Sequence, residues 1–494
     1  MSATPDTHIL QTRLAALSAA RTPLHMPGHK RRVSPAPGLP ADWDLTEIDG
    51  ADDLHGAGGI LAEAMGRTAR LWGAARSFYL VNGATCGLLA GIRALAPAGS
   101  TVIAARNCHK SVFHAIELGD LQVRWVMPKP DRAFGIHGSI APQDVAAALD
   151  ACPQAACVIL TSPTYEGVLS DIASIAGLCH ARGVPLLVDE AHGAHYLPLA
   201  RAHGWRGGAL AGGADIVVQS PHKTLPSLTQ TALLHLGGRY GPALADEVER
   251  QLDVFETSSP SYPLMASLDG CTGLLAAHGR EWFAGWAARL ARFDAAAAGL
   301  RRLRVLGHGA DAPQGHPACF ALDPGKILVD GGAAGLTGAQ LAERLRRDHG
   351  FEPEMSCGSQ VLAMTSPCDA DDTLDRFAAA LAELDAGCAA PPDGRPLPPP
   401  PPAPGRAACT IARALRLPAC TRPLAGAEGC VAAEYLWAYP PGVPLVVPGE
   451  RLTAPVLAAC RALEAQGTPL RHTGGTAPDA VRVLVRTPAD GAAE

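Results

Sequence analysis

The stretch ADIVVQSPHKTLPSLTQTALLHL, residues 214–236, sets an apolar run, a short polar segment carrying Lys223, and a second apolar run in series. Runs of about four to seven residues rich in Val, Ile and Leu, without strict polar alternation, read as strands buried on both faces. The same signature recurs upstream in TVIAA (101–105), LQVRWVM (121–127), AACVILTS (155–162) and GVPLLVDEAH (183–192). Between two of these runs, DIASIAGLCHARG (171–183) carries apolar residues at helical spacing and ends on Gly183, a plausible helix C-cap. Strand and helix signals that alternate in this way predict a layered α/β domain with a mainly parallel sheet.

The alternation weakens downstream but persists through KILVDGG (326–332), TGAQLAERLRRDHG (337–350) and TLDRFAAALAELDAG (373–387). It stops at CAAPPDGRPLPPPPPAPGRAAC (388–409), where so many prolines exclude a packed helix or a central strand and imply an extended linker. At 494 residues the chain exceeds a single core, which rarely grows beyond about 250–300 residues. The expected division is an N-terminal segment (1–50), a large domain (51–300), a small α/β domain (301–387), the linker (388–408) and a C-terminal domain (409–494).

Hydrophobic content of 48% with 18% charged residues fits a globular protein. A net charge of −6, with no basic run longer than HKRR (29–32), argues against a nucleic-acid partner. The N-terminus has no basic segment followed by an apolar one, and no window approaches the roughly 18 apolar residues of a membrane span, so a cytoplasmic protein is expected. The 14 cysteines are scattered from Cys86 to Cys460 without a CxxC pair, and read as reduced core residues, with no metal site.

Four places in this frame could carry chemistry. In YLVNGATCGLLAGIRAL (79–95) an apolar run turns at Gly83, Ala84 and Thr85 into a helix, whose free N–H groups could hold a phosphate; the alternative is a tight turn. In PLLVDEAHGAHY (185–196) Asp189 stands at the carboxyl end of a buried run, where open α/β sheets bind ligands; it could instead cap a helix. His192 and His195 follow it and could be packing residues. Lys223, flanked by Ser220, His222 and Thr224, could be a solvated turn lysine or a desolvated amine able to attack a carbonyl. His109, just beyond TVIAA, could stack on a flat ring or cap the next helix. Phosphate turn, then aspartate, then lysine is the order needed to seat pyridoxal phosphate.

Taken together these segments resemble pyridoxal-phosphate enzymes of fold type I, and within them the bacterial ornithine/lysine/arginine decarboxylases. The resemblance rests on LHMPGHK (24–30), DLTEIDGADDLHGAGGI (44–60), NGATCG (82–87), NCHKS (107–111), SPTYEGVLSDI (162–172), DEAHGAH (189–195), QSPHKTL (219–225), ETSSPSYPLMASLD (256–269) and YPPGVPLVVPGE (439–450), and covers nearly the whole chain in order. It implies a seven-stranded, mainly parallel sheet flanked by helices, with smaller α/β C-terminal domains, and decarboxylation of arginine, lysine or ornithine to a polyamine precursor. Lys223 looks like the lysine bonded to the cofactor, Asp189 like the partner of the pyridine nitrogen, and His109 like the ring-stacking histidine. Gly83, Ala84 and Thr85 match the phosphate turn, completed by Ser220 and His222. Ala191 lies where the family packs the other ring face, and His192 where a side chain approaches substrate.

In two respects the chain departs from the family. Arg31 and Arg32 follow PGHK where Gly is common, and the chain begins at the MPGHK region without the wing domain of the decamer-forming members. A homodimer or homotetramer is therefore expected, its active site completed across subunits through TSSPSYP (257–263). For a cationic substrate tail, Glu434 and the acidic cluster Glu47, Asp49, Asp52 and Asp53 are candidate acceptors. The rival readings are an aminotransferase or lyase, a decarboxylase of an unusual amino acid, and a non-catalytic homologue.

Overall fold

The structure is a computed structural model that describes residues 7–20, 22–24, 26–27, 30, 38–39, 41–239, 241–307, 315–388, 401–438, 442–465 and 468–486. Arg31, Arg32, most of the proline-rich linker and residues 439–441 of the YPPG motif lie outside the described residues.

The central sheet has seven strands, β1 (Arg76–Leu80), β2 (Thr101–Ala105), β3 (Gln122–Val126), β4 (Val158–Thr161), β5 (Leu186–Asp189), β6 (Ile216–Gln219) and β7 (Ala232–Leu236), in the spatial order β1-β7-β6-β5-β4-β2-β3. The neighbours from β6 through β5, β4 and β2 to β3 pair in parallel, while β7 runs antiparallel to both β6 and β1. The fold class expected from the apolar runs is thus the one observed.

Burial follows from strand position. β5, β6 and β7 are buried at every residue, as central strands covered on both faces must be, whereas edge strand β3 alternates exposed and half-buried positions. In β1 and the residue that follows it the period of two is explicit: Phe78 and Leu80 join one hydrophobic core, Tyr79 and Val81 the other. Helices α1 (Ile9–Ala20), α2 (Ile60–Trp72), α3 (Gly83–Leu95), α4 (Lys110–Leu118), α5 (Pro221–Thr224), α6 (Gly241–Phe255) and α7 (Tyr262–Ala297) belong to this region, as do the helices Pro142–Ala151, Ile172–Ala181 and Pro198–Arg201. α3 packs along α4 and α6, and α7 along α1 and α2.

A second, antiparallel sheet is built from β8 (Arg304–Val305), β9 (Lys326–Asp330), β10 (Met355–Cys357) and β11 (Gln360–Met364), in the order β8-β9-β11-β10. Its residues Ile327, Val329 and Val361 share a core with α7. Within 401–486 a separate core gathers Leu436, Val446, Val456, Leu457 and Val483. This last region grips the large sheet through Arg106, whose guanidinium meets the Glu450 carboxylate with both forks (3.1 and 2.9 Å) and also donates to the Pro444 carbonyl. The pair is nearly inaccessible to water.

Candidate functional site

The parallel strands end level with one another: Thr161 of β4 lies opposite Asp189 of β5, which lies opposite Val218 of β6. Ligands in such sheets sit at these carboxyl ends. Asp189 is buried, and its Oδ1 accepts the Ala191 N–H at 3.1 Å. Burial pushes the Asp189 carboxyl above its usual range, against the pull of Lys223 and of that amide.

The polar segment after β6 is a single helical turn, α5, and not an open loop. Pro221 supplies a first position that needs no N–H partner, and Leu225 N–H closes the turn on the Pro221 carbonyl at 2.7 Å. Lys223 N–H donates to the Ser220 carbonyl, and Ser220 N–H to the Ala191 carbonyl, so the lysine turn is tied to the aspartate segment. Burial lowers the Lys223 amine, while Asp189 and Glu354 pull it back up. His222 is half-buried and donates from Nδ1 to the Thr231 carbonyl at 2.7 Å.

Across the pocket, α3 opens on Gly83, Ala84 and Thr85, and Asn82 before it makes no side-chain cap. Gly83 has φ +77°, a conformation natural to glycine that lets the turn reverse into the helix. Beneath the turn the buried Glu256 accepts the Val81 N–H and the Cys86 thiol, fixing the turn from below. Thr85 Oγ1 lies 3.0 Å from Ser111 Oγ, which lies 2.7 Å from His109 Nδ1. His109 caps α4, its Nδ1 also accepting the Ser111 N–H. Burial, then the Lys223 and Lys110 charges, hold His109 down at about 3. The ring is therefore neutral, with its proton on Nε2.

The loop that carries His109 follows Arg106, so the grip of Glu450 and Pro444 bears directly on it, and Lys110 N–H donates to the Gly442 carbonyl. This places residues 442–450 beside the loop that carries His109.

His192 is buried, its Nε2 3.1 Å from Lys223 Nζ, and its ring 4.7 Å from that of Tyr165. Its Nδ1 meets Lys326 Nζ at 2.8 Å. Lys326, Tyr165 and Glu354, to which Tyr165 donates at 2.5 Å, were not singled out from sequence. The available signal was a cation opening the apolar run KILVD, and a tyrosine within SPTYEG.

The candidates for a substrate tail have hydrogen-bond partners of their own. Glu434 is buried within 401–486, where its carboxylate accepts from Gly474 N–H, Thr476 Oγ1 and Arg482 N–H at 2.7–3.0 Å. Asp52 accepts the N–H groups of Asp53, Gly58, Gly59 and Leu61 at the start of α2, and Asp53 caps the short helix Leu54–Gly56. Glu47 bonds Thr46, and Asp49 also has partners of its own. His195 is enclosed, 3.3 Å from Asp323. Among the described residues no group of His, Cys, Asp and Glu could hold a metal ion, and all 14 cysteines are free thiols.

The donor set suits pyridoxal phosphate. An open helix start can take a dianion, a buried carboxylate can pair with a protonated ring nitrogen, and a part-desolvated lysine can bond an aldehyde.

Comparison with known proteins bears on the same residues. The family described as "Orn/Lys/Arg decarboxylase, major domain" matches residues 37–325, and its C-terminal domain matches residues 410–479. An arginine decarboxylase of Halalkalibacterium halodurans is 32% identical over 477 residues, covering 93% of both chains. An arginine decarboxylase of Bacillus subtilis is 32% identical over 454 residues, covering 88% of this chain and 89% of its own. The constitutive lysine decarboxylase of Escherichia coli superposes with a TM-score of 0.77 at 22% identity, covering 96% of this chain and 82% of its own, a likeness of fold.

Proposed function

Because this chain belongs to the Orn/Lys/Arg decarboxylase family, we propose that its pocket removes the α-carboxylate of L-arginine with the help of pyridoxal phosphate, giving agmatine and carbon dioxide. The observation that carries the reading is the buried Asp189 at the end of β5 acting on the amine of Lys223, whose turn is tied to the aspartate segment by the Ser220 N–H to Ala191 carbonyl bond. Arginine is favoured over lysine and ornithine because the relatives matched along the greater part of their length are named arginine decarboxylases.

When bound, the cofactor supplies an aldehyde for covalent attachment and a ring that accepts the electron pair freed as the carboxylate leaves. Lys223 provides the amine. Asp189 holds a proton on the ring nitrogen by its charge, worth several kcal/mol of barrier in a preorganised site. The N–H groups of Gly83, Ala84 and Thr85, with Ser220 and His222, would hold the phosphate, and His109 and Ala191 would pack against the ring. The imidazole of His192, hydrogen-bonded to Lys223, stands with it ready to return a proton to Cα, with His222 nearby on the same turn as Lys223.

The remaining parts of the reading are a chain divided at residues 50, 300, 387 and 408, and a homodimer or homotetramer with the pocket at the subunit interface. The role is cytoplasmic supply of a polyamine precursor. No described helix is long and apolar enough to cross a membrane.

The test is direct. Purified protein supplied with pyridoxal phosphate is expected to be yellow, to bleach with borohydride, and to release agmatine and carbon dioxide from arginine without keto acid. Lys223→Ala is expected to lose the colour and the turnover. A wild-type protein that cannot take up the cofactor overturns the reading, and release of cadaverine or putrescine in preference to agmatine overturns the choice of arginine.

A further inference from the structure

The small sheet sends a second lysine into the pocket. Lys326 opens β9 and is 3% exposed, an unusual state for an ammonium. It is placed by a turn: its N–H donates to the Asp323 carbonyl at 3.1 Å, and the Asp323 N–H to the Gly167 carbonyl at 2.8 Å. A Cβ on Gly167 would lie 2.7 Å from Lys326 Cβ, so only a glycine lets the two segments meet this closely.

From that position Lys326 Nζ reaches His192 Nδ1 at 2.8 Å, and His192 Nε2 reaches Lys223 Nζ at 3.1 Å. With Lys326 as the ammonium the direction of this chain follows: an ammonium has donors only, so Lys326 gives a hydrogen to Nδ1, and a neutral imidazole accepting there carries its own hydrogen on Nε2. That hydrogen points at Lys223, which can accept it only as a free amine.

We infer that Lys326 is a positioning residue that acts through His192 to hold Lys223 as a free amine, with its lone pair available for bonding. This rests on the assignment of Lys223 as the cofactor-bonding amine. The surroundings agree with it. Lys223 is faced by Asp189, His109, His192, His222, Glu354 and Lys326, and Lys326 by Asp323, Glu166, Glu354, His192 and Lys223. Burial brings Lys326 down to about 8, so it remains an ammonium at neutral pH. Burial, then the charge of Lys326, keeps His192 well below its usual value, hence neutral.

Covalent capture of an aldehyde shows the state of the amine. The nitrogen lone pair forms the new bond to carbon, and the carbonyl oxygen departs as water with the two amine hydrogens. The experiment follows capture of pyridoxal phosphate by the apoenzyme as a function of pH, read by absorbance, without substrate. Lys326→Met is expected to move the midpoint of capture upward by about one pH unit and to slow capture near neutrality by about tenfold. Lys326→Arg, a permanent donor, is expected to restore the wild-type profile. Should Lys326→Met fail to fold, His192→Phe breaks the same link with Lys326 intact and is expected to shift the profile likewise. A profile unchanged in the foldable variants, with only the melting temperature lowered, overturns the inference. Wild-type apoenzyme that captures no cofactor overturns the assignment of Lys223 instead.

Discussion

Asp189, at the end of β5, and Glu434, inside the C-terminal region, are equally hidden from water, at 2% and 1% exposed. Glu434 accepts hydrogen bonds from two backbone N–H groups and one hydroxyl, all from its own part of the fold. Asp189 accepts one N–H, and the side chain that acts on it most strongly is that of Lys223. Burial alone therefore does not mark a functional acid. A buried carboxylate satisfied by neighbouring donors has little capacity left, whereas one with a single N–H partner keeps capacity for a ligand.

The comparison can be broken in several ways. The largest effect is expected at Asp189: Asp189→Asn should lower kcat by about a thousandfold while leaving the circular dichroism unchanged, since an amide cannot hold a proton on the ring by charge. A near-wild-type kcat would show that the carboxylate has no such role. Arg106→Ala strands the buried Glu450 carboxylate and is expected to cost about 3–5 kcal/mol in denaturant unfolding; a loss within error would mean that water reaches the pair. Glu434→Gln should cost about 1–3 kcal/mol in stability and leave KM for arginine unchanged. A raised KM with unchanged stability would return Glu434 to the substrate.

A further effect, read as a slope against pH, concerns a buried base. His235 is bonded to Ser77 Oγ at 2.7 Å and to Gln219 Oε1 at 3.2 Å, and burial holds it at about 3. Its folded value lies below the unfolded one, so the unfolded chain binds the extra proton between about pH 6.5 and 3, and the folded state loses stability as pH falls through that window. Relative to His235→Asn, wild-type stability should shrink by about 1.4 kcal/mol per pH unit below 6.5. A difference independent of pH would mean that the ring titrates normally.

Much of the fold was legible in the sequence because apolar runs in a parallel sheet have few other uses. The direction of β7 was not, since ALLHL is buried at every position and reads the same either way. Lys223 and Asp189 could be found because each interrupts an apolar run at a strand end. Lys326 could not be connected to them: a cation at the start of KILVD gives no sign that it will meet His192 from a different sheet. The partners of Glu434 could not be read either, since two of them are backbone groups of distant residues, which no side-chain pattern announces.

The grip of Glu450 on Arg106 has a consequence for synthesis. Strands β1 to β7 and Lys223 leave the ribosome well before residue 450, so a nascent chain can complete its large sheet while the loop bearing His109 still lacks its anchor. The order of translation thus makes the C-terminal region the last part to be added to the pocket, and a chain cut short before Glu450 would resemble the enzyme in secondary structure while leaving that loop unsecured.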